Sequence, residues 1–170
     1  MMDIFRTQTT LERIGLRPGQ KVLEVGSGGG RLLIPAAKRV LPGGEVVGLN
    51  LLPNSTKQLQ ERAAQARVTN LKAITGDAVL PHFPADTFDL VYICTALGEI
   101  SDPQAAIKQC YAVLKAGGTL SITEMIPDPH YQAQDKVCAL AETTGFEFVR
   151  VEGSWLFYTM NFRKPVINQS

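Results

Sequence analysis

The sequence predicts an α/β fold, a three-layer sandwich with helices on both faces of a mostly parallel sheet. Short apolar runs alternate with stretches of helical spacing from residue 21 to residue 145, which is typical of parallel strands joined by helices. A glycine cluster, Gly26 with Gly28–Gly30, follows the first apolar run. Two apolar runs near the end lie so close together that they must pair as an antiparallel hairpin.

Seven segments are predicted to be strands, because each is a short apolar run bounded by turn residues. They are residues 21–26, 45–49, 71–75, 88–94, 119–125, 146–151 and 157–163. The first five are expected to run parallel. The last two flank a short connection that includes Gly153, so the sheet is expected to have a reversed edge.

The predicted helices occupy the segments between strands. They are residues 31–41, 53–66, 103–114 and 131–144. Residues 115–118 (KAGG) are expected to stop the third of these helices, and Gly145 the fourth. Residues 1–17 place Ile4, Phe5, Leu11 and Ile14 at roughly helical spacing, which predicts a leading helix packed on the sheet.

Composition indicates one domain, residues 1–170, without a nucleic-acid partner. The 17 basic and 16 acidic residues give a net charge of +1, too little for binding through counterion release. Three widely spaced cysteines, Cys94, Cys110 and Cys138, argue against a disulfide framework and against a metal site. With no apolar run near 18 residues and no signal-peptide pattern at the start, we expect a cytoplasmic protein without a transmembrane segment.

The glycine loop is the first candidate for ligand binding, because ligands of open α/β sheets lie beyond the carboxyl ends of the strands. A dinucleotide-binding loop would have a small residue at position 31, where this chain has Arg31. A nicotinamide-dependent oxidoreductase is therefore disfavoured.

Five segments resemble the motifs of class I S-adenosylmethionine-dependent methyltransferases, in particular the small ubiquinone/menaquinone methylase-like members. In chain order they are LEVGSGGG (23–30), VVGLN (46–50), TGDA (75–78), FDLVYICTALGEI (88–100) and VLKAGGTLSITE (113–124). The resemblance covers roughly residues 20–163. It implies a Rossmann-like fold with seven strands and an antiparallel C-terminal hairpin, and S-adenosylmethionine as the cofactor.

The resemblance also implies which residues hold that cofactor. Glu24 would lie near its cationic amino group, and Asp77 would accept a hydrogen bond from the adenine amino group, with Ala78 beneath the ring. Glycine backbone can approach a ligand closely. The other cofactor-binding candidates are Gly26, Ser27, Gly28, Gly30, Asn50, Leu51 and Cys94.

Asn50 departs from the family, which usually has Asp or Glu here to hold both ribose hydroxyls. An amide offers one acceptor and one donor group, whereas a carboxylate offers two acceptors. We therefore expect weakened cofactor binding, and the substitution Asn50→Asp would tighten it by about 1 kcal/mol.

The catalytic candidates are Glu99, His130 and Tyr131. Glu99 follows the fourth strand on the ligand side and is the first candidate for a base that takes a proton from the acceptor. Relatives often have histidine at positions 98 and 99, so a solvated loop carboxylate remains the alternative. His130 and Tyr131 follow the fifth strand and are expected to line the acceptor pocket, with a surface histidine that caps the next helix as the alternative.

The sequence thus predicts methyl transfer from S-adenosylmethionine to a small-molecule or lipid-like acceptor. Every connection is short, so the pocket is expected to be open. An open pocket suits a bulky acceptor, or completion by a second copy or a partner chain. The alternative is a non-catalytic module that binds S-adenosylmethionine or S-adenosylhomocysteine and acts with a partner protein.

Overall fold

The computed structural model describes residues 4–168 and confirms the predicted α/β fold. The strands are β1 (Lys21–Val25), β2 (Glu45–Asn50), β3 (Leu71–Thr75), β4 (Phe88–Cys94), β5 (Leu114–Met125), β6 (Glu147–Ser154) and β7 (Phe157–Arg163). They form one sheet in the order β3-β2-β1-β4-β5-β7-β6. Strands β1 to β5 pair in parallel, and β7 is antiparallel to both of its neighbours. The reversed strand therefore lies one position inside the sheet edge.

Within residues 4–168, five α-helices cover the two faces of the sheet. They are α1 (Ile4–Ile14), α2 (Leu33–Arg39), α3 (Pro53–Gln65), α4 (Pro103–Val113) and α5 (Gln134–Thr144), with a 3-10 helix at Leu97–Glu99. One core cluster joins α1, α2 and α3 to the sheet, and the other joins α4 and α5 to its opposite face. No helix within residues 4–168 is long and apolar enough to cross a membrane.

Local sequence signals account for several helix ends. Asp102 caps the start of α4, where its Oδ1 accepts a hydrogen bond from the Ala105 N–H at 3.0 Å, and Pro103 occupies the first turn. Helix α5 ends at Gly145, whose φ of 116° is left-handed. A residue with a side chain adopts that conformation at a cost, so glycine is the usual stop.

The glycine stop predicted at residues 115–118 is wrong. Strand β5 begins at Leu114 and runs through these residues, because the Gly117 N–H donates to the Lys164 carbonyl oxygen and the Lys164 N–H donates to that of Gly118. Backbone pairing with the chain beyond β7 thus replaces a helix cap. This pairing joins residues nearly fifty positions apart, and local pattern does not reveal it.

Two helix starts also differ from the prediction. Helix α5 begins at Gln134 and leaves Tyr131 in the preceding loop. Helix α2 begins at Leu33 instead of Arg31. In the leading helix, Leu11 and Ile14 are buried as predicted, but Ile4 and Phe5 are 83% and 75% exposed and do not pack on the sheet. Residues 1–3 of the predicted leading segment lie outside the described part of the chain.

Candidate functional site

A cavity of about 310 Å³ opens at the carboxyl ends of the parallel strands, and it is here called the main cavity because it is the larger of the two cavities beside the glycine loop. Its wall combines the glycine loop after β1, the end of β2, the loop after β3 and the 3-10 helix after β4. Seven of the predicted site residues line it: Gly26, Gly28, Asn50, Leu51, Asp77, Ala78 and Glu99. The fold therefore gathers residues from four chain segments around one space.

A second cavity of about 240 Å³ lies on the other side of the glycine loop. Its lining includes Glu24, Ser27 and Cys94 together with the basic residues Arg31 and Arg62, and it shares Gly26 and Gly28 with the main cavity. The two cavities adjoin along the loop backbone. A single elongated ligand placed across the loop would contact both.

The glycine loop has a left-handed backbone at three positions, with φ of 76° at Gly26, 52° at Gly28 and 86° at Gly30. A Cβ on Gly28 would meet no atom of the chain within 4 Å, so this face of the loop is open. A Cβ on Gly30 would collide with Leu59 of α3. Gly30 lines neither cavity, and its lack of a side chain lets the loop pack against that helix.

Asn50 holds the glycine loop in place. Its Oδ1 accepts hydrogen bonds from the Gly28 N–H at 2.7 Å and the Ser27 hydroxyl at 3.1 Å, and its Nδ2 donates to the Gly28 carbonyl oxygen at 3.2 Å. The side chain is 3% exposed. Both ends of the amide are therefore engaged by the loop, a role that the motif comparison did not indicate.

These contacts reverse the outcome expected for Asn50→Asp. A carboxylate would keep the two acceptor contacts but would place its second oxygen against the Gly28 carbonyl oxygen, where two acceptors repel. We now expect about three- to tenfold weaker binding of S-adenosylhomocysteine, measured by calorimetric titration. Asn54→Asp, an exposed change on α3, is the control. Tighter binding by the Asn50 variant would indicate that the carboxylate reaches the ligand instead.

Glu24 is a buried carboxyl group on β1. The Tyr92 hydroxyl donates to its Oε2 at 2.8 Å. Burial raises the pKa of Glu24 to about 8, and the hydrogen bond from Tyr92 offsets part of that rise. Burial also raises the pKa of the Cys94 thiol, and the negative charges of the neighbouring Glu24 and Glu124 raise it further. Cys94 is thus a neutral thiol in the wall of the second cavity.

The loop after β3 is braced by a residue that the sequence analysis did not single out. The Asp77 Oδ1 accepts a hydrogen bond from the Val79 N–H at 3.2 Å, and the His82 Nε2 lies 2.7 Å from the Asp77 carbonyl oxygen. The His82 ring also packs against Gly76, where a Cβ would collide with it. Nothing in the local pattern indicates that His82 folds back on this loop.

The three catalytic candidates do not share one cavity. Glu99 is exposed and lines the main cavity, whereas His130 and Tyr131 line neither the main cavity nor the second cavity. The Tyr131 hydroxyl donates to the Trp155 carbonyl oxygen at 2.6 Å. Their segments nevertheless adjoin, because Gly98 packs against the His130 carbonyl oxygen.

Glu124 is a further acidic residue at this end of the sheet. It is 1% exposed, and burial raises its pKa to about 7. The sequence did carry a signal for it. In the run TLSITEM, Leu120, Ile122 and Glu124 alternate along β5, so the carboxyl group had to lie on the same face as two core residues.

Comparison with known proteins shows similarity to methyltransferases. Residues 22–118 match the family described as a methyltransferase domain. The nocamycin O-methyltransferase of Saccharothrix syringae is 33% identical over 130 residues, 75% of this chain and 46% of that protein. The demethylmenaquinone methyltransferase of a Geobacillus species is 32% identical over 117 residues, 69% of this chain and 50% of that protein. The chain thus spans about half the length of these curated relatives.

A solved structure shares the fold along nearly the whole chain. The S-adenosylmethionine-dependent methyltransferase from Aquifex aeolicus superposes with a TM-score of 0.87 at 20% identity, and the match covers 96% of this chain and 94% of that one. The family match covers more than half of the 170 residues and includes the glycine loop and the Asp77 segment. The chain therefore belongs to the family of class I S-adenosylmethionine-dependent methyltransferases.

Proposed function

We propose that the chain binds S-adenosylmethionine across the glycine loop and methylates a small-molecule or lipid-like acceptor. The observation that carries this proposal is the pair of cavities joined at Gly26 and Gly28. Asp77 and Ala78 line one cavity, and Glu24 lines the other. This arrangement fits a ligand with a nucleoside at one end and a charged amino acid at the other.

The chain's own contribution to the chemistry is positioning. S-adenosylmethionine supplies a methyl group on a positively charged sulfur that is already a good leaving group. Holding two reactants in line removes much of the entropic barrier, and no acid or base is obligatory. The open face of Gly28 leaves room for a ligand against the backbone, and Glu24 offers a carboxyl group to an ammonium. Glu99, on the open side of the main cavity, can accept a proton from an acceptor.

The nature of the acceptor is inferred from two observations. The relatives are named for methyl transfer to nocamycin and to demethylmenaquinone, which supports a small-molecule acceptor. Leu51 and Leu52 line the main cavity and are 65% and 61% exposed. Exposed leucines at the mouth of a site are suited to an apolar part of a ligand.

A screen of acceptors tests the proposal. Quinols, phenols, phospholipid head groups and small amines would each be supplied with S-adenosylmethionine, with release of S-adenosylhomocysteine as the readout. At least one apolar acceptor is expected to give turnover above background. Tight cofactor binding without turnover on any acceptor would instead favour a non-catalytic binding module.

Glu99→Ala is expected to slow turnover about tenfold to a hundredfold on an acceptor that must lose a proton, because general bases contribute factors of that order or more. Glu99 lines the same cavity as Asp77 and Ala78, so affinity for S-adenosylhomocysteine is measured as well, and its loss should be smaller than the loss of turnover. Glu61→Ala is the matched control, because Glu61 is an exposed carboxylate on α3 that pairs with Lys57. Equal turnover in both variants would remove Glu99 from the mechanism.

A further inference from the structure

Glu124 is buried at the carboxyl end of β5 without full hydrogen bonding. Its Oε2 accepts a hydrogen bond from the Gln132 N–H at 3.2 Å, and its Oε1 has no hydrogen-bond partner among residues 4–168. A buried carboxyl group with one partner is costly, and an apolar residue would fill the same place at lower cost. The hydrogen bond to Gln132 therefore offers an explanation for a carboxyl group at this buried position.

Gln132 is held from two strands at once. Besides the bond to Glu124 on β5, its carbonyl oxygen accepts a hydrogen bond from the Tyr158 hydroxyl on β7 at 2.5 Å. Its own side-chain Nε2 donates to the His130 carbonyl oxygen at 2.7 Å. The backbone of Gln132 is thus held by hydrogen bonds on both sides, and the hydrogen bond from its side chain links it to the backbone of His130.

Residues 127–132, here called the β5–α5 loop segment, lie beside the 3-10 helix that carries Glu99. A Cβ on Gly98 would collide with the His130 carbonyl oxygen, so the two backbones are in close contact. A movement of Gln132 would shift His130 against Gly98. Because Glu99 follows Gly98 directly and lines the main cavity, such a shift would reach the site itself.

We propose that Glu124 is a positioning residue for the methyl-transfer site. Its carboxyl group holds Gln132 and thereby fixes the β5–α5 loop segment against the 3-10 helix that carries Glu99. The consequence for catalysis rests on the proposed function. The hydrogen-bond contacts do not, and they can be tested separately.

The strength of this contact depends on the protonation of Glu124. The ionisable groups that interact with it are Glu99, Asp128, Tyr131, Tyr158 and Cys94, and His130 lies two residues before Gln132 in the same loop. Burial is the main cause that raises the pKa of Glu124 to about 7. The negative charges of Asp128 and Glu99 add to the rise, and the Gln132 N–H opposes it. An ionised carboxylate is the stronger acceptor, so the hold on Gln132 tightens as the pH rises through about 7.

Hydrogen exchange of the Gln132 amide tests the contact without any acceptor. Glu124→Leu removes the acceptor oxygen, and exchange at Gln132 is expected to accelerate at least tenfold, whereas Glu124→Gln keeps an oxygen there and should change it less than about threefold. Glu142→Leu, at an exposed carboxyl on α5, is the control and should leave it unchanged. Unchanged exchange in a folded Glu124→Leu protein would overturn the proposal.

A pH titration provides a test that a purely structural role would not pass. The Gln132 amide proton resonance is expected to move downfield with a midpoint near pH 7 in the parent chain and to stay constant in Glu124→Gln. The same titration in His130→Gln separates the effect of the neighbouring imidazole. A midpoint that persists in Glu124→Gln and disappears in His130→Gln would overturn the proposal, even if Glu124→Leu fails to fold.

Kinetics with an acceptor from the screen test the consequence. Glu124→Leu is expected to raise the KM for the acceptor or lower kcat at least fivefold, with affinity for S-adenosylhomocysteine within twofold of the parent. In Glu124→Gln the pH dependence near 7 should disappear from the acceptor KM. Equal losses of acceptor and cofactor binding would indicate general unfolding and contradict the positioning role. If no acceptor turns over, the proposed function fails while the amide measurements still decide the contact.

Discussion

Gly28→Val is expected to lower the affinity for S-adenosylhomocysteine at least a hundredfold while the fold survives. Gly28 borders both cavities, and its missing Cβ points into space that no atom of the chain occupies within 4 Å. A valine there would fill the place proposed for the ligand. Its φ of 52° adds backbone strain, and the strain also disturbs the hydrogen bonds to Asn50.

A matched variant separates the blocked ligand from the strained backbone. Gly43 has a φ of 83° and an equally open Cβ position, and it precedes β2, at the amino end of the strands and away from both cavities. Gly43→Val should lower the melting temperature to a similar degree but leave binding within about twofold. Titration calorimetry and thermal unfolding measure both effects. If Gly28→Val binds S-adenosylhomocysteine as tightly as the parent does, the ligand does not lie against this loop.

Cofactor binding is expected to release close to one proton at pH 7, and to tighten about ninefold from pH 6 to pH 7 and about fivefold from pH 7 to pH 8. Glu24 is mostly protonated at pH 7 because burial raises its pKa to about 8. An ammonium placed in the second cavity would favour the ionised form, so binding and proton release are linked. Glu24→Gln should abolish the release and the slope, and it should weaken binding at pH 8.

The proton count is measurable by calorimetry in buffers with different ionisation enthalpies. His82→Asn serves as the control, because the His82 ring lies near the Asp77 end of the main cavity. In His82→Asn, the pH dependence of the cofactor affinity should match that of the parent. A slope that survives in Glu24→Gln would exclude Glu24 as the linked group.

Glu24 is also expected to make the stability of the ligand-free protein depend on pH. The pKa of Glu24 is higher in the folded chain, about 8, than its ordinary 4.5, so the folded state binds this proton more tightly. Its contribution to stability is therefore complete below about pH 4.5 and is lost as the pH rises to about 8, by up to about 5 kcal/mol. Glu24→Gln should melt close to the parent at pH 5 and roughly 10–15 °C higher at pH 8.5. A parallel decline in both proteins would contradict this assignment.

The sequence by itself determined the architecture. The alternation of strands and helices, the closely spaced final strands and the stop at Gly145 all express local preferences, and the structure confirms each of them. It also placed the glycine loop, Asn50 and Asp77 at one edge of the sheet, because the carboxyl ends of parallel strands meet there. The place of the glycine loop needed only spacing and chain direction, whereas Asn50 and Asp77 were selected through the family resemblance.

Only the tertiary structure decided how the side chains at that edge are used. Asn50 is engaged by the loop 22 positions earlier, and Tyr158 reaches back 26 positions to Gln132. Strand β5 continues through Gly117 because of Lys164, and Glu124 meets a backbone N–H in a loop that the pattern assigned to a helix. Such contacts join residues far apart in the chain, so their partners and distances exist only after the strands have assembled. Local propensity fixes which elements form, whereas packing between those elements fixes which polar groups meet.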